Sequence, residues 1–196
     1  MSWDFDILKT NLDDFEIASF EEFCKTKGYA ISIHPNTNLK EDSGFLPLKI
    51  AGDFLPSLNG KDFISGFEFY SSVSKAIAEP LPIVAQPKGF LKSLFAKKQP
   101  SAVSPAPAPA YVAATQETEK YDLALMCKSN LLEIFTAHLF GLYFTESQGC
   151  ECYDPQDDIE YRTAQQIEKT LNDIVAEMKE RLSNGDLELH IFESWS

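Results

Sequence analysis

Apolar and polar positions repeat with two different periods along this chain, and the period predicts the element. Residues 12–27 (LDDFEIASFEEFCKTK) read as a helix. Phe15, Ser19 and Phe23 fall on one face with Leu12, Phe20 and Cys24 beside them, and Gly28 is a C-terminal stop. YAISIHP (29–35) reads as a strand ending at Pro35. GFLPLKIAG (44–52) and ISGFEFYSSV (64–73) are two further strands separated by the turn signal PSLNGKD. In the second of these, Phe67 and Phe69 share one face while Glu68 and Tyr70 share the other, as in a half-buried strand.

The pattern sharpens after residue 120. YDLALMCK (121–128) alternates Leu123, Leu125 and Cys127 against Asp122, Ala124 and Met126. Ser129 or Asn130 then caps a helix, with Glu133 in a capping-box position. That helix, LLEIFTAHLFGLYF, is apolar nearly all round and predicts a central, buried element. TESQ and Gly149 lead into a short strand, CECY, and DPQDD supplies a turn. The longest helix follows, with Ala164, Ile167, Leu171, Ile174, Val175, Met178 and Leu182 at helical spacing and a stop at Asn184–Gly185. DLELHIFESW alternates again and predicts a last strand.

These elements predict an α+β fold, a mixed or mainly antiparallel sheet covered by helices. Residues 97–120, KKQPSAVSPAPAPAYVAATQETEK, alternate Pro and Ala and read as a linker or exposed loop. They separate an N-terminal part (1–96) from a C-terminal β-α-β-α-β part (121–196), either as two lobes or as one domain sharing a sheet. KGFLKSLFAKK (88–98) is basic and amphipathic, and reads as a helix packed on the sheet before the linker.

Charge narrows the partners. The chain of 196 residues carries a formal net charge of −13, so it repels phosphate backbones and argues against nucleic acid. A basic protein partner would be steered toward it. Between Glu146 and Glu193 thirteen acids stand against four bases (Arg162, Lys169, Lys179, Arg181). MSWDFDILKTNLDDFE is acidic where a secretory signal is basic and apolar. Leu131–Phe144 is interrupted by Glu133 and His138 and falls short of the roughly 20 residues of a membrane span. Four cysteines (Cys24, Cys127, Cys150, Cys152) in such a chain read as reduced thiols, so the expected location is cytoplasmic.

The residues that could carry chemistry are few. His34, His138 and His190 are the three histidines, and no Gly-x-Ser-x-Gly elbow, phosphate-binding Gly-rich loop or dinucleotide fingerprint accompanies them. Cys150 and Cys152 form a C-x-C pair rather than the C-x2-C pairs of structural zinc, and in a strand both point to one face, inward. Asp154, Asp157, Asp158 and Glu160 lack the spacing of a calcium loop. No metal or cofactor is expected. The same four acids, with Tyr153 and Tyr161 as aromatic anchors, form the candidate partner-binding rim.

SGFEFYSS (65–72) and HLFGLYFTESQGCECYDPQDD (138–158) together resemble small acidic bacterial proteins, some of them immunity proteins of interbacterial toxin systems. The resemblance implies a bacterial cytosolic α+β protein and carries over no catalytic residue; the Pro/Ala insert departs from the compact pattern. The expected function is a non-enzymatic acidic binding protein, an immunity or inhibitor protein that masks a basic site on a toxin or another protein. The alternatives are a hydrolase-like enzyme using His138 or His190 with a cysteine or acid, and an adaptor or scaffold.

Overall fold

The computed structural model describes residues 3–74, 119–128 and 130–186. The expected terminal strand, the basic stretch 88–98 and the linker (apart from Glu119 and Lys120) lie outside the described residues.

The elements run β1 (Trp3–Thr10), α1 (Ile17–Thr26), β2 (Ile31–Ile33), β3 (Gly44–Ala51), β4 (Asp62–Val73), β5 (Tyr121–Cys127), α2 (Leu131–Gln148), β6 (Glu151–Asp154), β7 (Ile159–Tyr161) and α3 (Ala164–Asn184). The strands make one seven-stranded sheet in the order β2-β3-β4-β5-β1-β6-β7, and every neighbouring pair is antiparallel. The fold is α+β. Strands from both sides of the Pro/Ala segment interleave, because β5 lies between β4 and β1.

Two strands were not anticipated. β1 was read only for its acidity, yet Asp4-Phe5-Asp6-Ile7 has the period of two that a half-buried strand needs. β7 is three residues long, too short for periodicity to register, and it forms because Cys152 and Tyr161 meet across the DPQDD turn. The first helix also begins later than expected. Asn11 caps a 3-10 turn at Leu12–Asp14, Phe15 and Glu16 are extended, and α1 starts at Ile17. α2 in turn runs on through TESQ to Gln148 and ends at Gly149, whose φ of +69° closes the last carbonyls.

α2 packs across one face of the sheet, against β4, β1, β5 and β6. Its surface is buried from Leu132 to Thr145, apart from the partly buried Ile134, because α3 and α1 cover its other sides. Phe140 meets Phe67 of β4 and Phe20 of α1, with ring centroids 5.6 and 4.8 Å apart. Lys27, after α1, ties the helices together by pairing with Glu146 of α2 (2.7 Å) and Glu168 of α3 (2.6 Å). At the sheet margin Glu21 of α1 accepts the Ile33 N–H, so a side chain occupies a donor on edge strand β2.

Gly141 sets how closely α2 approaches β1. A Cβ there would lie 2.4 Å from Phe5 Cε1 and 3.1 Å from Cys152 Sγ. Alanine improves helix propensity by about 1 kcal/mol, while overpacking a closed core costs about 1–3 kcal/mol. Gly141→Ala is therefore expected to destabilise the protein by up to about 2 kcal/mol in urea unfolding, and a raised midpoint would refute this account of the contact.

Candidate functional site

The sheet has a second face that no helix among the described residues crosses. The register places its side chains in rows. Phe45, Glu68, Met126 and Asp4 stand side by side on β3, β4, β5 and β1. The next row holds Tyr70, Ala124, Asp6, Tyr153 and Glu160 on β4, β5, β1, β6 and β7. Phe45 and Tyr70 are each 45% exposed. Gly66 explains why Phe45 lies down on the sheet: a Cβ at Gly66 would come within 3.1 Å of Phe45 Cζ.

Carboxylates crowd this face. Asp4 and Asp6 are two residues apart on β1 and so point the same way. Asp4 Oδ2 accepts from Gln156 Nε2 at 3.2 Å, and Asp4 Oδ1 is buried without a hydrogen bond. Asp122 Oδ1 accepts the Lys9 N–H at 2.8 Å. Burial pushes the Asp6 carboxyl above its ordinary range, and the negative charges of Asp4 and Asp122 push it the same way. Like charges across neighbouring strands oppose folding, so this arrangement stores repulsion that a cation would relieve. Two bases answer it in part: Lys128 lies 3.5 Å from Glu68, and Arg162 Nε donates to Glu160 at 3.0 Å.

Two grooves indent the face. One of about 290 Å³ is bordered by Phe45, Gly66, Glu68, Met126 and Lys128, and one of about 260 Å³ by Leu8, Glu151, Tyr153, Glu160 and Arg162. A third, about 490 Å³, lies between α1 and the β2–β3 margin and includes Glu21, Glu22, Lys25 and Lys49.

The rim expected from sequence divides in two. Tyr153 stands on the open face beside Asp6 and donates its hydroxyl to Asp158 at 3.0 Å. Asp157, Asp158 and Glu160 are exposed. Asp154 and Tyr161, also expected on the rim, are inside, at 2% and 3% exposure. Asp154 holds the turn together by accepting the Gln156 and Asp157 N–H groups at 3.0 and 3.2 Å. Tyr161 faces the helices because it pairs with Cys152, whose side chain lies on the core face. Sequence reasoning missed Asp4, Asp6, Phe45 and Met126. The alternation at residues 3–7 was the available signal for the first two; only strand pairing sets Phe45 and Met126 beside them.

The chain matches no protein-family model, no curated protein and no solved structure.

Of the groups considered for catalysis, His138 and the cysteines are buried, and His190 lies outside the described residues. His138 is 1% exposed; its ring stacks on Trp3 at 5.0 Å and meets Phe5 at a tilt, 4.6 Å away. Its Nδ1 donates to the Ile134 carbonyl at 2.9 Å and its Nε2 faces the Tyr161 hydroxyl at 3.5 Å. Burial lowers the imidazole to about 4, so it stays neutral. His138 lines none of the three grooves. Burial likewise pushes Cys150 up to about 11 and Cys152 to about 12, far from a reactive thiolate. Among the described residues no three His, Cys, Asp or Glu side chains gather as a metal site requires, and no helix is long and apolar enough to cross a membrane.

Two titrations check this electrostatic picture. Unfolded, His138 takes up a proton near pH 6.5, and folded only near pH 4. Stability is therefore present above pH 6.5 and is lost as pH falls toward 4. His138→Phe keeps the ring stack and deletes that proton site, so between pH 7 and 4.5 the variant should lose about 2 kcal/mol less stability than the wild type. Equal losses would mean that the imidazole is not held neutral. Asp6 has the opposite sign: its raised carboxyl costs stability at pH 7 and ceases to do so once protonated. Asp6→Asn should raise stability by about 0.5–1 kcal/mol at pH 7, with the gain fading by pH 3; a loss at pH 7 would show that the carboxylate is structural.

Proposed function

We propose that this protein is a non-enzymatic binding protein whose open, acidic sheet face covers a basic site on a protein partner. One observation supports the reading above all. Asp4, Asp6, Glu68, Asp122, Glu151 and Glu160 share a face with the exposed aromatics Phe45 and Tyr70, while among the described residues only Lys128 and Arg162 form ion pairs with them there. A face of like charges works against folding, and its retention is accounted for if a cationic partner is its complement. Aromatic side chains among charges are what anchors such a contact. Masking of a bacterial toxin's basic groove by an immunity protein is one form of this activity, and the net charge of −13 suits it. The binding rim in this reading shifts from the DPQDD turn toward β1 and β4, with Tyr153 and Glu160 as its shared members.

The test is a pull-down with the full chain at about 50 and 500 mM salt, on both sides of the range where screening removes exposed charge pairs. The wild type is expected to retain basic proteins at low salt only, and the triple variant Asp4→Asn/Asp6→Asn/Glu68→Gln to lose them while remaining folded. Identical sets of retained proteins from the two, or retention indifferent to salt, would refute the electrostatic reading.

A further inference from the structure

The open face carries more than charge, and its layout bears on the form of the partner. We propose that its occupant is an amphipathic basic helix of the partner protein, seated along β5 with its apolar stripe on the sheet. This deepens the reading above and rests on it.

Met126 and Ala124 run down β5, flanked on the β4 side by Glu68 and Tyr70, with Phe45 beyond Glu68 on β3, and on the β1 side by Asp4 and Asp6. Strands lie about 4.8 Å apart, so the β5 strip with its flanking β4 and β1 columns, which put Glu68 on one side and Asp4 and Asp6 on the other, spans about 10 Å, the width of one helix with its side chains. A helix laid there sets leucine-like side chains at positions i, i+3, i+4 and i+7 on the apolar strip. Lysines or arginines on its flank reach the β1 carboxylates and Glu68. The groove of about 290 Å³ bordered by Phe45 and Met126 takes one of the apolar side chains.

An extended segment is the wrong shape for this place. β5 and β1 are interior strands whose backbone groups are paired on both sides, so an added strand would find no main-chain partners. A helix brings its own backbone bonds already made. A second copy of this chain fails on charge, since two such faces would set carboxylate against carboxylate.

The test uses three fluorescently labelled synthetic probes on the full chain at low salt: a Leu/Lys peptide with leucines at helical spacing, a peptide of the same composition with strict Leu/Lys alternation, and oligolysine of equal charge. The helical peptide is expected to bind at least tenfold tighter than either control and to gain helical circular dichroism on binding. Met126→Lys and, separately, Ala124→Arg should each remove that tenfold preference, with folding confirmed by the thermal transition of each variant. If all three probes bind alike, the face reads charge alone: the helix proposal falls and the acidic-binding reading stands. Tighter binding of the alternating peptide overturns the helix in favour of an extended ligand. If no probe binds, both readings fail.

Discussion

The structure depends on the burial of α2. All residues of this helix from Leu132 to Thr145 except the partly buried Ile134 are buried, so it cannot lie on a sheet and face solvent as an amphipathic helix does. It needs a layer beneath and a layer above. The sheet supplies the first through Phe5, Ile7, Phe67, Leu123 and Leu125; α3 and α1 supply the second through Ile167, Leu171, Phe20 and Cys24. Each large side chain fully buried this way contributes about 1.5–3 kcal/mol. The Gly141 contact and the double ion pair of Lys27 are adjustments within that arrangement, one fixing the spacing to the sheet and the other closing the helices over it.

With all described helices committed to one face, the other face of the sheet is free to carry what folding alone would not favour. Exposed aromatics and adjacent carboxylates appear there and not in the core. Of the buried polar groups on the core side, His138 is held by Ile134 and Tyr161 and Asp154 by its own turn, while the Ser65 hydroxyl has no hydrogen-bond partner among the described residues. The two faces thus separate two tasks. One holds the fold through apolar contact, and the other holds unfavourable like charges at modest expense because they sit at the water boundary, where screening is strong.

Much of this was legible locally. The helical period of α3, the alternation of β4 and β5, and the Gly185 stop are short-range signals and fall where expected, whereas the end of α2 at Gly149 lies beyond the expected Phe144. The inward thiols of Cys150 and Cys152 follow from position as well. The capping box at the start of α2 did not form as read: Asn130 does accept the Leu132 N–H, but Glu133 turns back to the Lys128 N–H. β7 and the late start of α1 were hidden because a three-residue strand and a 3-10 turn carry no period of their own. The rim was half legible. Acidity marked the DPQDD turn, but whether Asp154 and Tyr161 face water depends on a register that only the pairing of β6 with β7 decides.

By itself the sequence determined most of the element types, the largely buried setting of the helix that begins at Leu131, and the acidity of the chain. These follow from nearest neighbours along the chain and from composition. Tertiary structure decided which acids act together. Asp4, Asp6, Glu68 and Asp122 come from three strands far apart in sequence, and they become one surface only because β5 inserts between β4 and β1. Strand order is set by the sum of many long-range contacts, and no local pattern encodes it.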